Sequence, residues 1–316
     1  MFNFLDSKIK DRVQRGIVVL NKKAGVTSHD EVFQLKMVLN KNFGPKKNKR
    51  KNKIKVGHSG TLDPKVTGVL VCGTGKGTRL MEYMLMSDKQ YIGEIFFHQK
   101  VDRKDFEEVV KKFVGKIKQT PPVKSSVKRV EREREVYKID ILEFGEDGRK
   151  AKLFCSVERG TYIRKLFHDM GEELGVVASM GDLHRVKAGP FLESETNIVK
   201  VDDLESLIVE YKKTFNIFRK LKLRKEILKF IQSMENAMSD FKGIYLKKGV
   251  TRFLKNGGDL FAPGVDKISS DISKGEVVCI FDENKKLVVI GEAKMDLTEG
   301  KVPQKGIIAK TKKVLI

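Results

Sequence analysis

The chain is poor in the residues that staple or metallate small folds. Its three cysteines, Cys72, Cys155 and Cys279, lie far apart, leave one over after any pairing, and form no Cys-x-x-Cys. Its five histidines (His29, His58, His98, His168, His184) show no zinc-ligand spacing. These shortages argue against a disulfide framework and a structural zinc site, and lead us to expect a reducing intracellular compartment with no structural metal. No hydrophobic run is long enough to span a membrane, and we find neither a signal peptide nor an internal repeat. Acidic residues are outnumbered: 64 Lys and Arg stand against 42 Asp and Glu, giving a net charge of +22. Such an excess points to a polyanionic partner, nucleic acid ahead of an anionic membrane. What the chain does have is length and apolar content. Its 316 residues, 40% of them hydrophobic, suit about two domains with real cores.

Strand-like and helix-like periods are mixed without a regular βαβ rhythm, which predicts an α+β fold with a mixed, largely antiparallel sheet and flanking helices. Residues 1–16 read as a polar N-terminal arm, 17–200 as the main domain, 201–240 as a charged helical connector and 241–316 as a small, β-barrel-like domain. Ile17–Leu20 predicts a strand. Thr27 and Ser28, each with an acid three residues on (Asp30, Glu31), predict an N-cap for a helix striped by Val32, Leu35, Val38 and Leu39. Lys104–Ile117 predicts an amphipathic helix with Phe106, Val109, Val110, Phe113 and Ile117 on one face. The alternation Tyr137, Ile139, Ile141 and that of Ala151, Leu153, Cys155, Val157 predict two strands paired across Gly145–Gly148. A helix from Ile163 should stop at Gly175. Residues 41–55 carry eight Lys or Arg and no acid, which fits a solvated loop and a phosphate-contacting one equally well.

Two motifs fail on inspection. Gly73-Thr74-Gly75-Lys76 lacks the Ser or Thr after the lysine and the earlier glycine of a phosphate loop; Gly77 and Leu70 occupy those places. Gly57-His58-Ser59-Gly60 resembles a nucleophile elbow, but Thr61 stands where the closing glycine belongs. The same stretch, continued through Thr61-Leu62-Asp63-Pro64-Lys65-Val66-Thr67-Gly68, instead sets Asp63 in a glycine-rich turn ahead of the apolar run Val69–Cys72. A carboxylate on a loop anchored by a strand is how an acid or nucleophile is presented.

Five blocks, in order, carry a resemblance: Leu20-Asn21-Lys22-Lys23-Ala24-Gly25-Val26-Thr27-Ser28; the Asp63 loop; Lys89-Gln90-Tyr91; Gln119-Thr120-Pro121-Pro122 through Arg129; and Gly160-Thr161-Tyr162-Ile163-Arg164, continued by Leu183-His184-Arg185 to Phe191. Together they resemble the TruB family of RNA pseudouridine synthases, and within it the dyskerin type that works in H/ACA guide-RNA particles. Gly249-Val250, Asn256 to Val265, Gly275–Val278 and Gly291–Met295 resemble a PUA RNA-binding domain. The chain departs from the family pattern at Lys23, where proline is commoner, and in its long basic insert at 44–55.

The resemblance implies a cofactor-free isomerisation in which Asp63 acts as nucleophile at ribose C1′ or as base at C2′. It implies that Arg164 pairs with Asp63, holds it ionised and orients it, and that Tyr91 stacks on the uracil and handles a proton. His58 is implied to fill the space a flipped uridine vacates, with a structural loop histidine as the alternative. Tyr162 and Leu183 are implied as apolar pocket walls, and both read equally as core. Lys124, Lys128 and Arg129, with Arg132 and Arg134, are candidate phosphate contacts, unless Glu131, Glu133 and Glu135 make theirs an ordinary charged face. The implied partners are an H/ACA guide RNA, ribosomal RNA with tRNA as the alternative substrate, and three small proteins: zinc-ribbon-like, β-barrel and kink-turn-binding. The expected location is an archaeal-like cytoplasm, or a nucleolus in a eukaryote. A scaffold without catalysis is the reading from a different class.

Overall fold

The computed structural model describes residues 2–45, 53–121 and 128–316, with side chains from residue 7 on. Its helices are α1 (Phe2–Gln14), α2 (Ser28–Phe43), α3 (Met81–Leu85), α4 (Arg103–Lys112), α5 (Ile163–Glu173), α6 (Val201–Lys213), α7 (Ile217–Phe230), α8 (Met234–Ala237) and α9 (Thr251–Leu254). The first strands are β1 (Arg15–Lys22), β2 (Val56–His58), β3 (Thr67–Gly75), β4 (Lys89–Phe97), β5 (Gly115–Gln119), β6 (Arg132–Phe144), β7 (Lys150–Val157), β8 (Ala178–Ala188) and β9 (Phe191–Leu192). They are followed by β10 (Ile231–Ser233), β11 (Gly243–Leu246), β12 (Leu260–Phe261), β13 (Val265–Ile268), β14 (Val277–Phe281), β15 (Leu287–Ala293) and β16 (Ile307–Val314). The chain divides into two compact units, one of Val18–Cys72 and Met81–Phe230, the other of Met1–Ile17, Gly73–Leu80 and Ile231–Ile316.

The larger unit is built on a sheet in the order β1-β3-β8-β4-β7-β6-β5, with β2 on β3 and β9 on β8. β3 and β8 run parallel, while β4–β8, β4–β7, β6–β7 and β5–β6 are antiparallel. The α+β class and the antiparallel bias follow. One face buries Ile95, Phe97, Leu153, Cys155 and Leu183 against Phe106 of α4 and Leu166 and Phe167 of α5. α2 begins as its sequence predicts: Thr27 and Asp30 close a capping box, and Val32, Leu35, Val38 and Leu39 are buried. Its exit is fixed by Asn40, whose side chain bonds both the N–H and the C=O of Ile54, so the far end of the basic insert is anchored. Residues 46–52 of that insert lie outside the described residues.

Two expectations need correction. The amphipathic helix ends at Lys112, not Ile117, because Gly115 takes φ +103° and residues 115–119 pair with β6. Ile117 keeps its apolar contact from a strand instead. The second correction concerns the N-terminus. Residues 2–14 are no polar arm but a helix, α1, whose Ile9 and Val13 are fully buried.

That helix belongs to the second unit, packed on β10. Arg15, just after it, donates from Nη2 to Glu235 Oε1 at 3.1 Å and to the Leu287 carbonyl at 2.9 Å. The same carboxylate oxygen accepts the Leu287 N–H at 2.9 Å, so one buried cluster joins the N-terminal segment to β15. The unit's own sheet runs β12-β16-β15-β14-β11-β13 and is barrel-like, its core formed by Ile244, Ile268, Val278, Ile280, Val289 and Ile308. Ile9→Ala should therefore behave as a core truncation, destabilising by about 2–5 kcal/mol. Urea unfolding followed by circular dichroism checks this; a shift of a few tenths of a kcal/mol would return α1 to the status of a surface arm.

Candidate active site

Asp63 lies on the loop between β2 and β3, and the chain on either side of it is fastened from several directions. Ser28, fully buried at the start of α2, accepts the Leu62 N–H at 2.8 Å and donates to the Leu62 carbonyl at 3.1 Å. Lys22, fully buried at the end of β1, donates Nζ to the carbonyls of Pro64 (3.0 Å), Val66 (2.7 Å) and Lys23 (3.0 Å). Arg185, 1% exposed on β8, donates Nε to the Val69 carbonyl at 2.7 Å and Nη2 to the Gly60 carbonyl at 3.1 Å. The loop passes Arg185 closely: a Cβ at Gly68, which has φ +102°, would sit 2.3 Å from the Arg185 carbonyl oxygen. The residues before and after Asp63 are thus immobilised while its own side chain stays half exposed.

That side chain is ion-paired to Arg164 Nη2, with the aspartate 50% and the arginine 48% exposed. A pair this wet contributes only about 0–1 kcal/mol to stability. Its consequence is orientation of the carboxylate. Arg164 is the second residue of α5, and Ile163 before it, Leu62 and Leu183 all belong to one core cluster, against which Tyr91 packs. The sheet register sets Tyr91 opposite Cys155 on β7 and Arg185 on β8. Leu183 is itself core, facing Gly93, where a Cβ would meet it at 2.6 Å. Tyr162 precedes α5 as its N-cap residue.

His58, at the end of β2, has a buried Nδ1 without a hydrogen-bond partner, and burial, then the Arg185 charge, then His29 lower its pKa. Ser59 Oγ and Thr161 Oγ1 are likewise buried and unpartnered. Lys124 lies outside the described residues. Lys128 and Arg129 are exposed, and among the described residues no hydrogen bond or ion pair joins them to Asp63 or Arg164. On β6 the charged-face alternative accounts for part of the pattern. Glu133 and Glu131 pair with Lys116 and Lys118 of β5, at 3.0 and 3.7 Å, and Arg134 lies 3.8 Å from Glu158. His168, Asp169 and Glu172 on α5 gather ligand atoms within 4.8 Å, but Lys165 already pairs with both carboxylates and supplies the charge a cation would bring.

The sequence motifs contain Lys22, Lys89 and Arg185 without a role assigned to them, and Ser28 only as a candidate helix cap. The signal available was a cation inside an apolar strand, as in Leu20-Asn21-Lys22 and Leu183-His184-Arg185-Val186. Lys89 is the third such cation, 5% exposed, donating to the Leu85 carbonyl at 2.7 Å and to that of Ser87.

With this geometry in place, the likeness to known proteins is informative. Residues 46–163 match the TruB family pseudouridylate synthase N-terminal domain, 164–239 the tRNA pseudouridylate synthase B C-terminal domain, and 242–315 the PUA domain. A probable tRNA pseudouridine synthase B of Pyrococcus abyssi is 37% identical over 308 residues, covering 98% of this chain and 86% of that protein. The one of Nanoarchaeum equitans is 35% identical, covering 98% and 82%. Among solved structures, a chain of a Cbf5-Nop10-Gar1 complex superposes with a TM-score of 0.82 at 36% identity, covering 98% of this chain and 87% of that one. A chain of an H/ACA RNP bound to a substrate RNA containing 2′-deoxyuridine gives 0.80 at 34%, with 98% and 87% covered. The chain belongs to the TruB family and is a pseudouridine synthase. Within that family it is of the dyskerin type, typified by Cbf5, with a C-terminal PUA domain.

Lys89 yields a prediction with a definite sign. Burial, with Arg185 next, lowers its pKa from 10.5 to about 8. Between those values the unfolded chain binds more protons than the folded one, so stability from this group rises with pH and is lost as pH falls through the lower value. The unfolding free energy of wild type minus Lys89→Met should therefore climb across that window, by at most about 1.4 kcal/mol per pH unit. Urea titrations across the window measure it; a flat difference would contradict the burial of a charged lysine.

Proposed function

We propose that this chain isomerises uridine to pseudouridine in ribosomal RNA as the guide-directed catalytic subunit of an H/ACA ribonucleoprotein. The observation that carries the chemistry is the exposed Asp63 carboxylate, oriented by Arg164 on an otherwise fastened loop. The observation that favours the guided setting is near-full-length likeness to Cbf5 chains from complexes with Nop10 and Gar1 and from an H/ACA RNP.

In this reading the N1–C1′ bond breaks, the uracil turns, and C5 bonds to C1′; the C5 proton leaves and N1 regains one, so no redox partner or energy source is consumed. Asp63 attacks C1′ or removes the C2′ proton. Tyr91 stacks on the extruded base and exchanges a proton with it, at the cost of a few kcal/mol for extrusion. His58, whose pKa burial and the Arg185 charge lower, lines the space the base vacates. Lys128 and Arg129 contact phosphates. Guide RNA and small accessory proteins are the proposed partners, with the PUA domain on the guide.

The names of the curated relatives favour a second reading, a stand-alone enzyme acting on tRNA. Tritium release from C5-labelled uridine separates the two. The guided reading expects release from a ribosomal RNA fragment only with matching guide and accessory proteins, and little from a bare tRNA transcript. Equally rapid release from the bare transcript would replace it with the tRNA reading. No release from either, with guide RNA still bound, would leave a scaffold.

A further inference from the structure

β5 ends at Gln119, 3% exposed, and its carboxamide grips a single residue 43 positions on. The Tyr162 N–H donates to Oε1 at 3.0 Å, and Nε2 donates to the Tyr162 carbonyl at 3.3 Å. Tyr162 is the N-cap of α5 and has no side-chain cap of its own. Its carbonyl also accepts the first intrahelical bond, from the Leu166 N–H at 2.9 Å. The glutamine therefore supplies from another strand the bond to the N-cap N–H that a Glu or Gln at the third helical position supplies in a capping box. Two residues on stands Arg164, the partner of Asp63.

We propose that Gln119 is a positioning residue: it sets the start of α5, and with it the Arg164 guanidinium against Asp63 and the placement of Tyr162. The inference rests on reading Asp63 and Arg164 as the reacting pair. The requirement is chemically narrow. One side must accept and the other donate, in a plane, because the target is one residue's N–H and C=O. Glutamine does this at any pH. Glutamate does it only when protonated; ionised, it turns an oxygen toward the Tyr162 carbonyl. The charged groups around this junction are Arg132, opposite Gln119 in the β5–β6 register, Arg134 with Glu158 beside Gly160, and Arg164 itself. All are present in wild type and variant alike.

The test is tritium release by wild type, Gln119→Glu, Gln119→Leu and Asp63→Asn under conditions where wild type turns over. Gln119→Leu should lose roughly 10–100-fold in kcat, a misplacement effect, with KM little changed. The kcat ratio of Gln119→Glu to wild type should rise toward one as pH falls, following protonation of a carboxyl whose pKa burial at this position pushes up. Adding Gln119→Leu to Arg164→Ala should cost no more than Arg164→Ala alone, since residues acting as a unit are non-additive. A pH-independent ratio, or a full additive loss on the Arg164→Ala background, would overturn the proposal. If Gln119→Leu does not fold, the Gln119→Glu ratio still decides. An active Asp63→Asn would remove the catalytic reading beneath the proposal, whereas a dead Asp63→Asn with a flat Gln119→Glu ratio would refute the role of Gln119 alone.

Discussion

Lys22 and Arg185 donate to main-chain carbonyls of the Asp63 loop and its strand rather than to carboxylates, and the site depends on those bonds. A cation withdrawn from water without a partner costs several kcal/mol, so each needs its carbonyls as much as the loop needs the cation. The exchange fixes backbone, not side chain. Four such bonds, with the two to Ser28, hold residues 60, 62, 64, 66 and 69 while Asp63 stays accessible. Rigidity around a reactive group that remains open to a large substrate is the combination an RNA-modifying site requires.

The same economy of scaffolding appears on the other side of the ion pair. Arg164 approaches from α5, whose start is held by Gln119 and whose body is sunk in the core through Ile163, Leu166 and Phe167. Neither partner of the exposed pair is therefore placed by the pair itself. The second unit has its own solution to order: Arg15, just after α1, is tied to Glu235 and to the Leu287 carbonyl, which fastens the N-terminal segment to β15 of the PUA sheet.

Legibility from sequence followed the range of the interactions. Asp63 stood out because it lies in a short glycine-rich block that fixes a local turn, Arg164 only through the family resemblance of its block, and α2 because its cap and stripe are local. The alternation in β6 misled at Tyr137: a bulge between Val136 and Lys138 shifts the faces, so Val136 and Ile139 are buried while Tyr137 is 43% exposed with its hydroxyl on Asp88. The helix read through Gly115 failed because only its strand partner Val136, 21 residues away, reveals that this glycine begins β5. Buried cations were hard to single out for the same reason, the apolar residues around them being their one local signal. In so basic a chain, Lys22 and Arg185 look like their solvated neighbours until their carbonyl partners, on other elements, are known. The polar look of residues 1–16 hid Ile9 and Val13, which are apolar at helical spacing and find their core more than 200 residues downstream.

The most direct measurement is turnover and RNA affinity for Asp63→Asn, side by side on the same RNA substrate. A carboxylate placed by its backbone and merely oriented by Arg164 should be dispensable for folding and binding but not for bond breakage. Turnover should fall roughly 10³-fold or more while the RNA Kd and the unfolding midpoint stay close to wild type. Turnover retained within a few-fold would place the chemistry elsewhere and contradict the central role given to the Asp63 loop.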